Sequence, residues 1–129
     1  IGANLDPSHL IWQGIDPVEA IKALKGAIFH FHAKDTRLNQ RNIAVNGVLD
    51  TKPYSDEMGR SWIFRTIGYG NGESYWRDII SALRLVGYDH AVSIEHEDSL
   101  MSSPEGLKKA IAFLKDIIIR EPAGEMFWA

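Results

Sequence analysis

Residues 28–36, with the sequence IFHFHAKDT, carry two imidazoles and an ammonium group inside an otherwise apolar run. Apolar residues with a turn after them indicate a buried β-strand, whose side chains alternate between two faces. The polar face is predicted to hold Ile28, His30, His32 and Lys34, and the apolar face to hold Phe29, Phe31 and Ala33. One face therefore suits packing against helices, and the other carries good metal ligands.

Two further apolar segments end in a carboxylate, Asp6 after "ANL" and Glu95 after "AVSI". If these segments and residues 28–33 are parallel strands, Asp6, His32 and Glu95 lie at equivalent strand ends. Such a mixed oxygen and nitrogen set suits a divalent metal ion: Mn²⁺, Mg²⁺, Co²⁺ or Zn²⁺. The alternative is structural: Asp6 caps a turn, His32 is a core histidine, and Glu95 pairs with Lys34.

Several other polar residues lie near these strand ends in the sequence. His9 follows Asp6 by three positions and could point at the same place, although it also suits a loop. Lys34 and Arg37 could bind an anionic or hydroxylated ligand, or could be solvated loop charges. The glycine-rich run GYGNG, residues 68–72, resembles a phosphate loop but lacks the Lys-Ser/Thr of a P-loop, so we interpret it as a helix entry.

The elements that must position these residues alternate between strands and helices. Helices are predicted over residues 16–26, with Asp16 as N-cap, over 73–86, and from Ser103 to before Pro122. Asn46-Gly47 suggests a type I′ hairpin. The rest of residues 37–65 is predicted to be irregular, and its length suggests a lid over the site, with Arg37 and Arg65 as candidates to reach the ligand.

Strand–helix alternation implies parallel strands, as in a doubly wound sheet or a β/α barrel. One face of each predicted strand is polar toward its C-terminal end, which favours a barrel with helices outside and a site at its mouth.

Bulk properties exclude several classes of protein. The 129 residues are 45% hydrophobic and 24% charged with net charge −3, which fits one globular domain and disfavours nucleic-acid binding. Cysteine is absent, so thiolate chemistry is excluded. No apolar run is long enough to span a membrane. The chain opens with Ile1 and not Met, and a cytoplasmic location is only a default expectation.

The motifs NLDPSH, HFHAKDT, GYGNGESYWRDIISALRLVGYD, VSIEHED and REPAGEMFWA resemble the sugar phosphate isomerase/epimerase family, the xylose isomerase-like TIM barrels. The resemblance covers nearly the whole chain. It implies an α/β fold in which residues 1–129 form the C-terminal portion of a single barrel domain, about three β/α units of the eight.

The resemblance also implies site residues. In epimerases of this family, Glu, Asp, His and Glu from four successive strands hold one divalent metal, and Asp6, His32 and Glu95 match the last three. The first glutamate would precede Ile1. His9 matches a histidine, and Arg37 an arginine, that contacts the substrate.

The implied activity is that of a metal-dependent sugar or sugar phosphate isomerase or epimerase, in which Glu95 is both metal ligand and catalytic carboxylate. Proton transfer would pass through an enediolate. An inosose dehydratase-like lyase uses the same proton abstraction and is a close alternative. Endonuclease IV-type DNA repair is disfavoured, because the Asp-x-His pair of those nucleases is absent from the sequence.

A third possibility is a non-catalytic fragment. We expect the 129 residues alone to be inactive and to associate with the missing N-terminal half of the barrel or, as a homo-oligomer, with copies of themselves. The other expected partner is a small sugar or sugar phosphate, with neither nucleic acid nor membrane.

Overall fold

The computed structural model describes residues 1–129 and contains five strands and five helices. In chain order these are β1 (Ala3–Leu5), α1 (Pro7–Ile11), α2 (Pro17–Ala23), β2 (Ile28–Ala33), β3 (Asp35–Leu38), α3 (Gln40–Asn46), β4 (Trp62–Arg65), α4 (Glu73–Leu85), β5 (Val92–Ile94) and α5 (Ser103–Ile117). The three predicted strands and three predicted helices are confirmed. Two additional strands, β3 and β4, and helix α3 lie largely in the segment 37–65 that is predicted to be irregular, and helix α1 is not predicted.

The main sheet has three parallel strands in the order β1-β2-β5. Leu5 is in register with Phe31, and His32 is in register with Ser93. The strands run in the same direction, so their C-terminal ends share one edge of the sheet. This arrangement confirms the predicted α/β class with parallel β/α units.

The predicted faces of β2 are wrong at its N-terminal end. The register with β1 shifts there, because Ala3 is opposite Ile28 while the next residue, Asn4, is opposite His30. The extra residue, Phe29, acts as a β-bulge and inverts the alternation before it. Ile28 therefore enters the core, whereas Phe29 is 56% exposed. Beyond the bulge the alternation follows the prediction.

The core lies between the sheet and the helices. Phe31 and Ala33 face it from β2, and both are buried. Burying a side chain such as Phe31 contributes about 1.5–3 kcal/mol, so these contacts fix which face of β2 turns away from the helices. The helices supply the other side of the core: Ile21 from α2; Trp76, Ile79, Ile80, Ala82 and Leu83 from α4; and Ala110, Leu114 and Ile117 from α5.

The helix starts follow their sequence signals. Asp16 caps α2, where its Oδ1 accepts a hydrogen bond of 2.8 Å from the Val18 amide, and Pro17 occupies the first helical position. This confirms the predicted cap. A capping carboxylate satisfies amide groups that have no partner inside the helix.

The predicted Asn46-Gly47 hairpin is wrong. Asn46 is instead the last residue of α3, and Gly47 has φ +72° at its C-terminal cap. Glycine adopts this left-handed conformation without strain, and it ends helices for the same reason that it forms tight turns. The antiparallel pairing in this region is between β3 and β4, with Arg37 opposite Ile63.

Aromatic and guanidinium groups hold the loop between α3 and β4 against β4. The Arg60 guanidinium lies 4.6 Å from the Tyr54 ring and 4.7 Å from the Trp62 ring, and it also donates to the Lys52 carbonyl. Trp62 stacks on Trp12 with a ring separation of 4.9 Å. Arg60 is only 5% exposed, so its charge is satisfied inside this packed segment.

Candidate metal centre

Three strand ends bring Asp6, His32 and Glu95 together. Asp6 directly follows β1, His32 lies in β2, and Glu95 directly follows β5. One ligand atom from each residue lies within 4.8 Å of those of the other two. Two ligands of one divalent ion, each at ~2–2.5 Å, are at most ~5 Å apart, so the set fits a single cation after only small adjustments.

The two oxygens of Asp6 have different roles. Oδ1 caps α1 by accepting a hydrogen bond of 2.9 Å from the Ser8 amide. Oδ2 lies 3.1 Å from the Lys34 Nζ and 3.5 Å from the His9 Nε2. The cap predicted by the structural alternative is therefore present, and it leaves Oδ2 to face Lys34 and His9. Capping and metal binding are compatible in this carboxylate, because each uses a different oxygen.

Glu95 is held from two sides. Its Oε2 is hydrogen-bonded to the His32 Nδ1, and its Oε1 accepts a hydrogen bond of 3.0 Å from the Lys34 Nζ. Burial alone would raise the pKa of Glu95, but the hydrogen bonds from Lys34 and His32 outweigh it and lower the pKa below its ordinary value. The carboxylate is therefore ionised at neutral pH, as both a metal ligand and a proton acceptor require.

Lys34 is a buried cation in the middle of this cluster. The residue is 1% exposed, and its Nζ contacts carboxylates of Asp6, Glu95 and Glu97 at 3.1, 3.0 and 2.8 Å. Burial alone would lower its pKa, yet these hydrogen bonds and charges raise it, so Lys34 stays protonated. The pairing of Glu95 with Lys34, predicted by the structural alternative, is thus also present.

Of the three predicted substrate contacts, Lys34 is the buried cation just described, and the other two, His9 and Arg37, differ in position. His9 lies at the cluster, with its side chain 53% exposed and its ring edge against Phe64. Arg37 is not brought into contact with the cluster. Its guanidinium donates to the Gly70 carbonyl at 3.2 Å. A substrate contact by either residue stays a prediction.

Comparison with known proteins identifies the family. The family model described as the xylose isomerase-like TIM barrel matches residues 1–117. The chain belongs to this family. Its three parallel strands are therefore part of a barrel sheet. Asp6, His32 and Glu95, called here the candidate metal-ligand set, lie at the C-terminal ends of these strands, where TIM-barrel sites are built.

Two related proteins show how much of the barrel the chain represents. It is 41% identical over 118 residues to the uncharacterized protein YfiH of Bacillus subtilis (strain 168), covering 92% of this chain and 38% of that protein. The crystal structure of a xylose isomerase domain protein from Planctomyces limnophilus is similar in fold, with a TM-score of 0.58 and 23% identity. This match covers 90% of the chain and 38% of the solved one. The chain thus spans 38% of the length of each.

A cleft of about 650 Å³ lies beside the metal-ligand set in the barrel mouth. It is lined by Tyr54, Phe64, His96, Glu97, Asp98, Ser99, Met101, Ser102 and Ser103. Glu97, in the cleft lining, forms an ion pair with Lys34, which also contacts Asp6 and Glu95. The Lys34 Nζ lies 4.5 Å from the centroid of the Phe64 ring, which also lines the cleft. The cleft lining thus combines the rings of Tyr54 and Phe64 with the Glu97 carboxylate and several serine hydroxyls.

Sequence reasoning missed Asp35, the first residue of β3, which binds the glycine-rich loop through hydrogen bonds. Its carboxylate is fully buried and accepts six hydrogen bonds. The donors are the amides of Thr36, Gly68, Gly70 and Asn71, the Asn71 side chain and the Trp76 indole. The anion held by this loop is thus an internal carboxylate, which agrees with the interpretation of GYGNG as a helix entry. The glycine-rich run was the available signal, but it did not identify its partner.

A second buried carboxylate, Asp98, fastens the segment after β5 to β4. It accepts hydrogen bonds from the Arg65 Nε at 3.0 Å and from the Thr66 amide at 2.8 Å. Burial alone would raise the pKa of Asp98, but these hydrogen bonds lower it below the ordinary value. Arg65 is therefore paired with Asp98, a residue that lines the cleft.

No helix in the structure combines the length and the apolar character needed to cross a membrane.

Proposed function

We propose that this chain supplies three metal ligands and a catalytic carboxylate to a sugar or sugar phosphate isomerase or epimerase. The proposal rests on one observation: Asp6, His32 and Glu95 converge at the mouth of a barrel of the xylose isomerase-like family. A divalent cation bound there would stabilise the negative charge that develops on a carbonyl oxygen when a neighbouring C–H proton is removed.

Glu95 is the proposed proton acceptor. Its side chain is 34% exposed, so a bound sugar can reach it, and its lowered pKa keeps the carboxylate ionised at neutral pH. The His32 and Lys34 hydrogen bonds fix its orientation. A carboxylate held in place in this way supports the proposed role in general-base catalysis.

His9 is the proposed contact to a substrate oxygen. It is exposed at the cluster, and the Asp6 Oδ2 at 3.5 Å orients its Nε2. Arg37 could reach a substrate only by leaving the Gly70 carbonyl. The chain spans 38% of its relatives' length, so we propose the activity for the barrel that these strands form with the remaining segments.

Deuterium exchange from solvent tests the proposal. The assembled barrel is incubated in D₂O with Mn²⁺ and, in turn, D-xylulose, D-fructose and D-xylulose 5-phosphate, and the proton beside the carbonyl is followed by NMR. We expect exchange with at least one sugar, abolished by Glu95→Gln and retained in Glu105→Gln, which changes a surface ion pair with Lys109. Exchange that Glu95→Gln leaves intact, or no exchange with any of the sugars, contradicts the proposal. A product lighter by one water identifies a dehydratase instead.

A further inference from the structure

Lys34 shares its carboxylates with the proposed metal ion. Of its three partners, Asp6 and Glu95 belong to the metal-ligand set, and Glu97 does not. Three carboxylates around one ammonium leave a formal charge of −2 on the cluster. A divalent cation is attracted to that charge, but it must take oxygens that a buried ammonium already contacts.

The position of Lys34 makes this competition strong. Its side chain is 2% exposed, so water screens its charge poorly. An ammonium in such surroundings repels a divalent cation bound to the same carboxylates. The same ammonium also holds Asp6 and Glu95 close together, and without it their like charges would repel each other.

Glu97 and Phe64 give Lys34 anchors outside the metal-ligand set. The Glu97 Oε2 is the nearest of the three carboxylate partners, at 2.8 Å, and the Phe64 ring lies 4.5 Å from the ammonium. When a cation takes the oxygens of Asp6 and Glu95, Lys34 retains these two contacts. The ammonium can therefore stay near its buried position while a cation occupies the oxygens of Asp6 and Glu95.

We propose that Lys34 competes with the divalent cation for the oxygens of Asp6 and Glu95, and that this competition outweighs its role in holding them together, so that its charge limits the affinity of the site. This inference rests on the proposed metal site and adds a determinant of its affinity. A lysine that only supports the fold would weaken cation binding when removed. A competing lysine strengthens binding when removed, so the direction of the change separates the two roles.

Isothermal titration of the protein with CoCl₂ tests this inference. Lys34→Met, which keeps the length of the side chain without its charge, should bind Co²⁺ at least roughly tenfold more tightly than the wild type. Lys34→Arg should stay within about threefold of the wild type. Lys22→Met is the matched control, because it removes the same charge from a lysine that pairs with Glu19 on the exposed side of α2. Lys22→Met should leave the affinity unchanged.

The outcomes separate this inference from the metal site itself. Unchanged or weaker Co²⁺ binding in Lys34→Met overturns the role of Lys34 and leaves the metal site intact. Absence of Co²⁺ binding in both the wild type and Lys34→Met overturns both proposals. Binding by Lys34→Met alone supports the competition directly.

Glu97→Gln provides a second test if Lys34→Met does not fold. Losing its nearest carboxylate partner should direct Lys34 more strongly to Asp6 and Glu95 and weaken Co²⁺ binding at least about threefold. The Co²⁺-induced rise in unfolding temperature should shrink in parallel, because ligand stabilisation follows affinity. Equal or tighter binding in Glu97→Gln overturns the inference.

Discussion

Replacing Asp35 by asparagine should destabilise the fold strongly, because the carboxylate accepts six hydrogen bonds and donates none. Four donors meet Oδ2 at 2.8–3.1 Å, and two meet Oδ1 at 2.7–2.8 Å. An asparagine side chain has only one acceptor oxygen. In its best orientation the new NH₂ group faces the two donors at Oδ1, namely the Thr36 amide and the Asn71 side chain.

The expected cost follows from those two lost partners. Each buried donor left without an acceptor costs about 1–3 kcal/mol, and the four remaining hydrogen bonds become weaker because their acceptor is neutral. Removing a buried charge offsets part of this loss. We expect Asp35→Asn to lower the free energy of unfolding by about 3 kcal/mol, a large share of the ~5–15 kcal/mol that is typical of a domain.

Urea unfolding followed by circular dichroism and tryptophan fluorescence measures this cost. Trp76 is buried and its indole donates to Asp35, so its emission reports on the same contact. Asp78→Asn is the control, because Asp78 is an exposed residue of α4, and it should change stability by less than about 0.5 kcal/mol. An Asp35→Asn protein within about 1 kcal/mol of the wild type would refute the role assigned to the carboxylate.

Three further predictions concern neighbouring features. Gly70→Ala should destabilise the protein in thermal unfolding, because a Cβ there would lie 2.4 Å from the Thr36 carbonyl oxygen, whereas Gly124→Ala has no atom within 4 Å and should be neutral; equal unfolding temperatures would contradict this. Because folding lowers the pKa of Asp98 from its ordinary value of 3.8, the ionised carboxylate stabilises the fold at pH values above 3.8. This stabilisation is lost as pH falls through the folded-state pKa. The stability difference between wild type and Asp98→Asn should therefore shrink as pH falls below about 5, and a constant difference would be inconsistent with the shift. His32→Ala should weaken Co²⁺ binding in a titration at least roughly tenfold, and an unchanged affinity would exclude His32 as a ligand.

The regular elements of this fold were predictable because their signals are local. The apolar spacing of α4 and the Asp16-Pro17 start of α2 each lie within a few residues. The β-bulge at Phe29 was not predictable, because it depends on the register with β1, a contact with a distant part of the chain. Asn46-Gly47 was misassigned because the same pair suits both a hairpin and a helix end.

The candidate site was predictable in its residue types but not in its electrostatics. Parallel strands alone bring Asp6, His32 and Glu95 to one edge. Alternation placed Lys34 on the face of His32, and its pairing with Glu95 was one of the alternatives, but its contacts with Asp6 and Glu97 were not predicted. Five of the six hydrogen bonds to Asp35 come from residues more than thirty positions away along the chain, so only the folded structure reveals them.

Anomalous X-ray diffraction at the cobalt absorption edge, from crystals of the protein grown with CoCl₂, tests the metal site most directly. We expect a single strong anomalous peak within about 2.0–2.5 Å of a carboxylate oxygen of Asp6, a ring nitrogen of His32 and a carboxylate oxygen of Glu95. A cobalt ion bound elsewhere, or no peak between these three residues at saturating Co²⁺, would contradict the proposed metal site.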